Sequence, residues 1–242
     1  MKKICQDCRR DGKWYPTSIS NLDTYLSKFI RVGVGVPNVV GLRKNIAYNI
    51  QYLQFQSQLL SEFDVTQVIL TQTWKMQIIV GTSIIEALLY YLLTSQKLHK
   101  TTQWEQICST SNEATIEGNK HKVENIIYRK LEIPLPQDMT LDVMIKKAEK
   151  KKLLGKSHEI YKKLNYLRKL RNRVHIHAID KDSDTDWWAI NKNEVDIIKG
   201  VLYSFFTSSL FKPTVAERQF FSVSTIITLN QSLQETTLRV AS

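Results

Sequence analysis

Two of the five histidines in this 242-residue chain, His175 and His177, stand just beyond a run of arginines. The run reads Leu167-Arg168-Lys169-Leu170-Arg171-Asn172-Arg173-Val174-His175-Ile176-His177. Successive residues of an α-helix turn by about 100°, so Arg171 and His175 at i, i+4 are expected on one face. Arg168 is expected on that face too, with Leu164, Leu167 and Leu170 turned to the core. A guanidinium is a permanent cation with the geometry of a phosphate clamp. Imidazole changes its charge near neutral pH, and positive neighbours favour its neutral, basic form. Together they suit RNA cleavage through the ribose 2′-hydroxyl. That reaction needs a base for the 2′-OH proton, an acid for the 5′-oxygen and a cation for the phosphorane charge. It requires no metal ion and no cofactor. The competing reading is a helix C-terminus at which cations simply satisfy the dipole.

The charge pattern leads to the same place. The chain has 34 Lys and Arg against 23 Asp and Glu, a net charge of +11. Residues 146–173 hold twelve Lys and Arg against only Glu149 and Glu159, so almost all the excess lies in this one segment. A solvated helix face is the plain explanation of a lysine run. A groove for phosphates is the functional one, with Lys162, Lys163, Arg168, Lys169 and Arg173 as RNA-binding candidates.

Other chemistries fit less well. Cys5-Gln-Asp-Cys8 is half of a zinc ribbon, and no second pair follows it, Cys108 and His99 being isolated. Asp180, Asp182, Asp184 and Asp186 imitate the start of a calcium loop without its glycine or final glutamate, and read as a solvated acidic loop whose charge can also cap the neighbouring basic surface. No phosphate loop follows Gly33, Gly35 and Gly41. Trp187 and Trp188 read as packing residues rather than base-stacking ones. Three cysteines in the chain fit a reducing compartment, and no signal-peptide pattern opens it, so a cytoplasmic protein is expected. The apolar fraction of 43% excludes a disordered chain.

The elements that must hold these residues are read from periodicity and punctuation. Residues 1–41 read as irregular, since Gly33, Gly35, Pro37 and Gly41 crowd together. Ile46, Ile50, Leu53 and Leu60 predict a helix over 42–62, with Gln51, Gln54 and Gln58 off its apolar face. A second helix is predicted over 66–98, with Gly81 as a break. Its apolar stretch from Met76 to Leu93 reaches the length of a membrane span, but Gln77, Thr82, Ser83 and Glu86 lie inside it, so it reads as a core helix. Residues 101–119 read as loop with at most a short helix, and 121–135 as a strand or extended segment. Thr140 caps a helix over 141–154 that stops at Gly155, and Ser157 opens another that ends near His177. Asn193 caps a last helix over 194–210, with Val195, Ile198, Leu202, Phe205 and Phe206 inward. The alternation of Phe221, Val223, Thr225, Ile227 and Leu229 suggests a strand in the tail.

Arg-Asn-x-x-His on the penultimate helix of such a domain resembles the HEPN superfamily (higher eukaryotes and prokaryotes nucleotide-binding). The family's signature is an Arg, four to six residues, then a His, with a polar residue directly after the Arg. Ser83-Ile-Ile-Glu86-Ala-Leu-Leu-Tyr-Tyr-Leu-Leu93 is similar to the earlier core helix of those domains, and the resemblance spans roughly residues 66–210. From Arg171, His177 follows after five residues, whereas His175 follows after three and fits the family's spacing from Arg168 instead. Helical phase favours Arg171 with His175, and His177 stands close behind. The resemblance implies catalytic roles for Arg171, Asn172 and one of these histidines. It implies a metal-independent endoribonuclease that works as a homodimer, as a toxin or antiviral factor with an antitoxin or regulatory partner, or else a silent module that only binds. The fold expected is all-α, a HEPN-like bundle over 42–211 with a small extended or β insertion. Irregular extensions at 1–41 and 212–242 flank it. Glu86 either pairs across the bundle with Arg171 or Arg168, or sits at an exposed helix edge. RNA is the expected partner, and no membrane is.

Overall fold

The structure is a computed structural model that describes residues 15–176, 182 and 185–221. Eight α-helices and one β-hairpin occur among them. They are α1 (Ile19–Leu26), α2 (Val39–Glu62), α3 (Gln67–Ser95), β1 (Thr101–Ile116), β2 (Asn119–Pro136), α4 (Leu141–Lys150), α5 (Glu159–Arg171), α6 (Asp186–Ala189), α7 (Lys192–Phe206) and α8 (Val215–Phe220).

The 29-residue helix α3 is the axis of the helical body. It packs against α2, α4, α5, α6 and α7. Such a helix must be apolar nearly all round, and Ile78, Ile84, Ile85, Leu88, Leu89, Leu92 and Leu93 are all buried. It is also the one described helix apolar and long enough to cross a membrane, and 61% of its apolar window is buried inside the protein. The helix runs through Gly81 without a break. A Cβ at Gly81 would lie 2.6 Å from Ile198 Cγ1, so the glycine admits α7 rather than ending α3.

Helix α2 corrects the expected face. Ile46, Ile50 and Leu53 are buried as predicted, but so are Gln54 and Gln58. Gln77 of α3 is buried as well, and its Nε2 donates to Ser57 Oγ at 3.5 Å. The α2–α3 seam is therefore partly amide-lined. On α5 Tyr161, Leu164, Leu167 and Leu170 face the core, and on α7 Val195, Ile198, Val201, Leu202, Phe205 and Phe206 do. Helix α7 begins two residues earlier than predicted, because Asn191 and Glu194 form a reciprocal capping box. Thr140 caps α4 as expected, accepting from the Val143 N–H at 3.4 Å.

The all-α expectation is overturned. Strands β1 and β2, of 16 and 18 residues, form a long antiparallel two-stranded sheet, which makes the fold mixed α/β. The stretch expected as loop, 101–119, supplies β1. Glu117 and Gly118 both take positive φ, 50° and 78°, between paired Ile116 and Asn119, as a two-residue hairpin turn requires. At roughly 3.4 Å per residue the hairpin is about 50 Å long. It is exposed along both faces. Cross-strand charge ties it together: Glu105 pairs with Arg129 and Glu113 with Lys120 at 3.8 Å, while Lys122 pairs with Glu124 along β2. No face is covered, so no apolar alternation announces it.

The described parts of the flanking segments, 15–41 and 212–221, each contain a helix rather than being wholly irregular. Ser18 caps α1, whose Leu22, Tyr25 and Leu26 are buried. The Tyr25 hydroxyl donates to the Phe206 carbonyl, and burial pushes its pKa up. Tyr25 stacks on Phe211 with ring centroids 5.4 Å apart, and Phe206 on Phe221 at 5.1 Å. One buried cluster thus runs from Leu22 to Phe221. After Thr214 the chain turns into α8, capped by Thr214 and Glu217. The strand expected in the tail lies mostly outside the described residues.

Candidate functional site

The arginine run is built on the outer end of α5. Leu164, Leu167 and Leu170 anchor one face against α3, α4 and α7, so the cations between them must point away. The helix ends at Arg171, and Asn172–Val174 tighten into a single 3₁₀ turn. Three cations, Arg168, Lys169 and Arg171, occupy the last turn, where they complement the exposed carbonyls. His175 follows in extended backbone, φ −80° and ψ 96°, its N–H donating to the Asn172 carbonyl at 3.2 Å. The expected alignment of Arg171 and His175 along one continuous helical face is therefore corrected. A 3₁₀ turn advances about 120° per residue, and the α-helical phase is lost before His175. Asn172, His175 and Ile176 are exposed. His177 lies outside the described residues, as do Asp180 and Asp184.

Each of the three arginines meets a carboxylate from a different element. Arg168 Nη2 lies 3.1 Å from Asp142 Oδ1 of α4. Arg171 Nη2 lies 3.3 Å from Glu86 Oε2 of α3. Arg173 Nε lies 3.9 Å from Asp186 Oδ1 at the start of α6. For Glu86 the structure selects pairing with Arg171 over an exposed edge. Arg168 turns aside to α4, where Asp142 also takes Lys146 at 2.7 Å. The hydrogen bond from Lys146, aided by the nearby Arg168 charge, holds the Asp142 carboxyl below its usual range despite some desolvation. Arg171 keeps roughly a third of its side chain exposed, 36%, so it is oriented by Glu86 without being sealed away.

For Asp186 the structure replaces full solvation with the other reading, a carboxylate that caps the neighbouring basic surface. Its Oδ2 accepts from Lys75 Nζ at 2.8 Å and Gln72 Nε2 at 3.2 Å, both on α3. Lys75 is buried, so its ammonium needs this partner. Sequence reasoning missed Asp142 and Lys75, since no spacing links residues on different elements, whereas the acidic loop containing Asp186 reads from sequence as able to cap the basic surface. Of the RNA-binding candidates, Lys162, Lys163 and Lys169 are exposed, with Lys162 2.8 Å from Glu159, while Arg168 and Arg173 are half-buried in their ion pairs.

Trp187 and Trp188 depart from the packing role expected of them, with 49% and 76% of their surface exposed. Among the described residues no group of three or more His, Cys, Asp or Glu could hold a metal ion. Cys108 is exposed on β1, and His99 packs edge-on against Tyr90; Cys5 and Cys8 lie outside the described residues. In comparisons with protein-family models, curated proteins and solved structures, nothing matches this chain.

Proposed function

We propose that the chain is an RNA-binding protein that cleaves its RNA without a metal ion, through Arg171 and His175. The observation that carries this reading is the end of α5: Arg171, held by Glu86 yet still solvent-accessible, is followed within four residues by exposed Asn172 and His175. His175 removes the proton from a ribose 2′-OH as that oxygen bonds to phosphorus. The P–O5′ bond breaks, and a second imidazole returns a proton to the 5′-oxygen, leaving a 2′,3′-cyclic phosphate. Arg171 stabilises the charge on the phosphorane. The second imidazole comes from His177 or from a second copy of the chain, in keeping with the homodimer that the HEPN resemblance implies. Lys162, Lys163 and Lys169 hold the strand by its phosphates. A cytoplasmic toxin or antiviral factor, held in check by an antitoxin or regulatory protein, is the biological setting we infer.

The arginine pairs favour a second reading, a silent module that binds RNA or a protein. Arg168, Arg171 and Arg173 each bridge to another element, as structural arginines do. Incubation of single-stranded RNA with the protein in chelator separates the two. Cleavage that is lost in Arg171→Ala and His175→Ala, with helical circular dichroism intact, supports the enzyme. Salt-sensitive binding with no cleavage at any pH supports the module.

A further inference from the structure

We infer that Trp188, with Trp187 beside it, is a base-stacking platform that makes the site selective for single-stranded RNA; this rests on the RNA-binding reading above. Trp188 is three-quarters exposed, on a four-residue helix that presents it to solvent. Leaving so large an apolar surface in water is unfavourable, and an indole face stacks on any base. Ile176, at 86% exposure, and Val174 are exposed apolar residues on either side of His175 in the chain.

The position of the helix is fixed by charge. Asp186 lies two residues before Trp188, and it receives Arg173, which lies two residues before His175. Lys75 holds the other carboxylate oxygen from α3. With two cations on one carboxylate, Asp186 does not repel phosphate. The indoles therefore sit beside the cationic end of α5, within a few residues of the candidate base and clamp. Cations for phosphates next to exposed aromatics for unstacked bases are the combination that recognises a single strand. A duplex keeps its bases stacked and gives the indoles nothing to cover. Charge complementarity argues for this occupant over an apolar protein surface, because residues 146–173 lead to the platform with a net charge of +10.

The test uses the full chain and three non-cleavable 2′-O-methyl probes of equal length: oligouridylate, an abasic strand with the same phosphates, and a duplex. Fluorescence anisotropy should show wild-type protein preferring oligouridylate to the abasic strand. Trp188→Ala should bind oligouridylate about 5-fold to 100-fold more weakly and lose that preference, while binding the abasic strand as wild type does. Trp188→Phe should restore most of it. If Trp188→Ala binds oligouridylate as tightly as wild type, the platform is wrong while RNA binding stands. Wild-type binding to none of the probes would overturn the RNA reading and the platform together. Circular dichroism confirms that both variants fold, as a side chain with so few partners should allow.

Discussion

Arg171, the last residue of α5, reaches Glu86 in the middle of α3, with Nη2 and Oε2 3.3 Å apart. The pair joins the candidate phosphate clamp to the central helix of the core. Both side chains are about a third exposed, at 36% and 29%. This geometry points the guanidinium without sealing it. Glu86→Ala is expected to cost only about 1 kcal/mol of stability, as a half-exposed ion pair does. In the RNA-cleavage assay it should lower kcat roughly 10-fold with KM little changed, because it misdirects a cation needed in the transition state. Glu86→Gln should recover part of kcat. Urea unfolding and steady-state kinetics check both, and an unchanged kcat in Glu86→Ala would remove Glu86 from any positioning role.

Gly81 is a packing residue. A Cβ there lies 2.6 Å from Ile198 Cγ1 and 3.2 Å from Leu202 Cδ1, both buried on α7. Gly81→Ala should therefore destabilise by about 1–3 kcal/mol, although alanine is the better helix former by about 1 kcal/mol. Denaturant unfolding measures the balance. Stabilisation would mean that α7 shifts away at little cost.

The hairpin makes few demands on the core. Its base is fastened by the Gln137 N–H to the Lys100 carbonyl at 2.8 Å, and beyond that both strands are exposed. Replacing residues 108–127 with a short Asn-Gly turn should leave the unfolding free energy of the helical body within about 0.5 kcal/mol. Equilibrium unfolding followed at the helical signal checks this, and a loss of several kcal/mol would show that the body depends on the distal hairpin.

Acid should loosen the junction of α1 and α8. Burial pushes the Glu217 carboxyl up. Hydrogen bonds from Lys28 and Thr214, with the Lys28 charge, outweigh that and leave it below its ordinary value. The unfolded chain therefore binds the proton more readily. The contribution is full above the unfolded carboxylate range near 4.5 and is lost as pH falls through the lower folded value. Unfolding measured from about pH 6 to about pH 3 should show stability falling with pH, with a shallower fall in Glu217→Gln. Equal slopes would show that other carboxylates carry the acid transition.

The helices whose apolar faces are buried could be read directly. Leu164, Leu167 and Leu170 define the inner face of α5 by their spacing alone, and Val195, Ile198, Leu202, Phe205 and Phe206 do so for α7. That spacing also fixes which way the arginines between the leucines must face. Of the hairpin, β2 was legible as an extended segment over 121–135, whereas β1 read as loop, because neither face is buried and strand periodicity records burial. Helix α1 was masked by the glycines that follow it. Gly81 reads in sequence as a helix breaker, and only the approach of Ile198 shows what its missing side chain is for. The sequence by itself determined that cations and a histidine stand together at the end of an amphipathic helix. Tertiary structure alone decided that Arg168, Arg171 and Arg173 part to Asp142, Glu86 and Asp186, and that Trp188 faces water. The physical reason is range: helical phase is a local property lost within one 3₁₀ turn, whereas an ion pair depends on which distant carboxylate the packed core brings near.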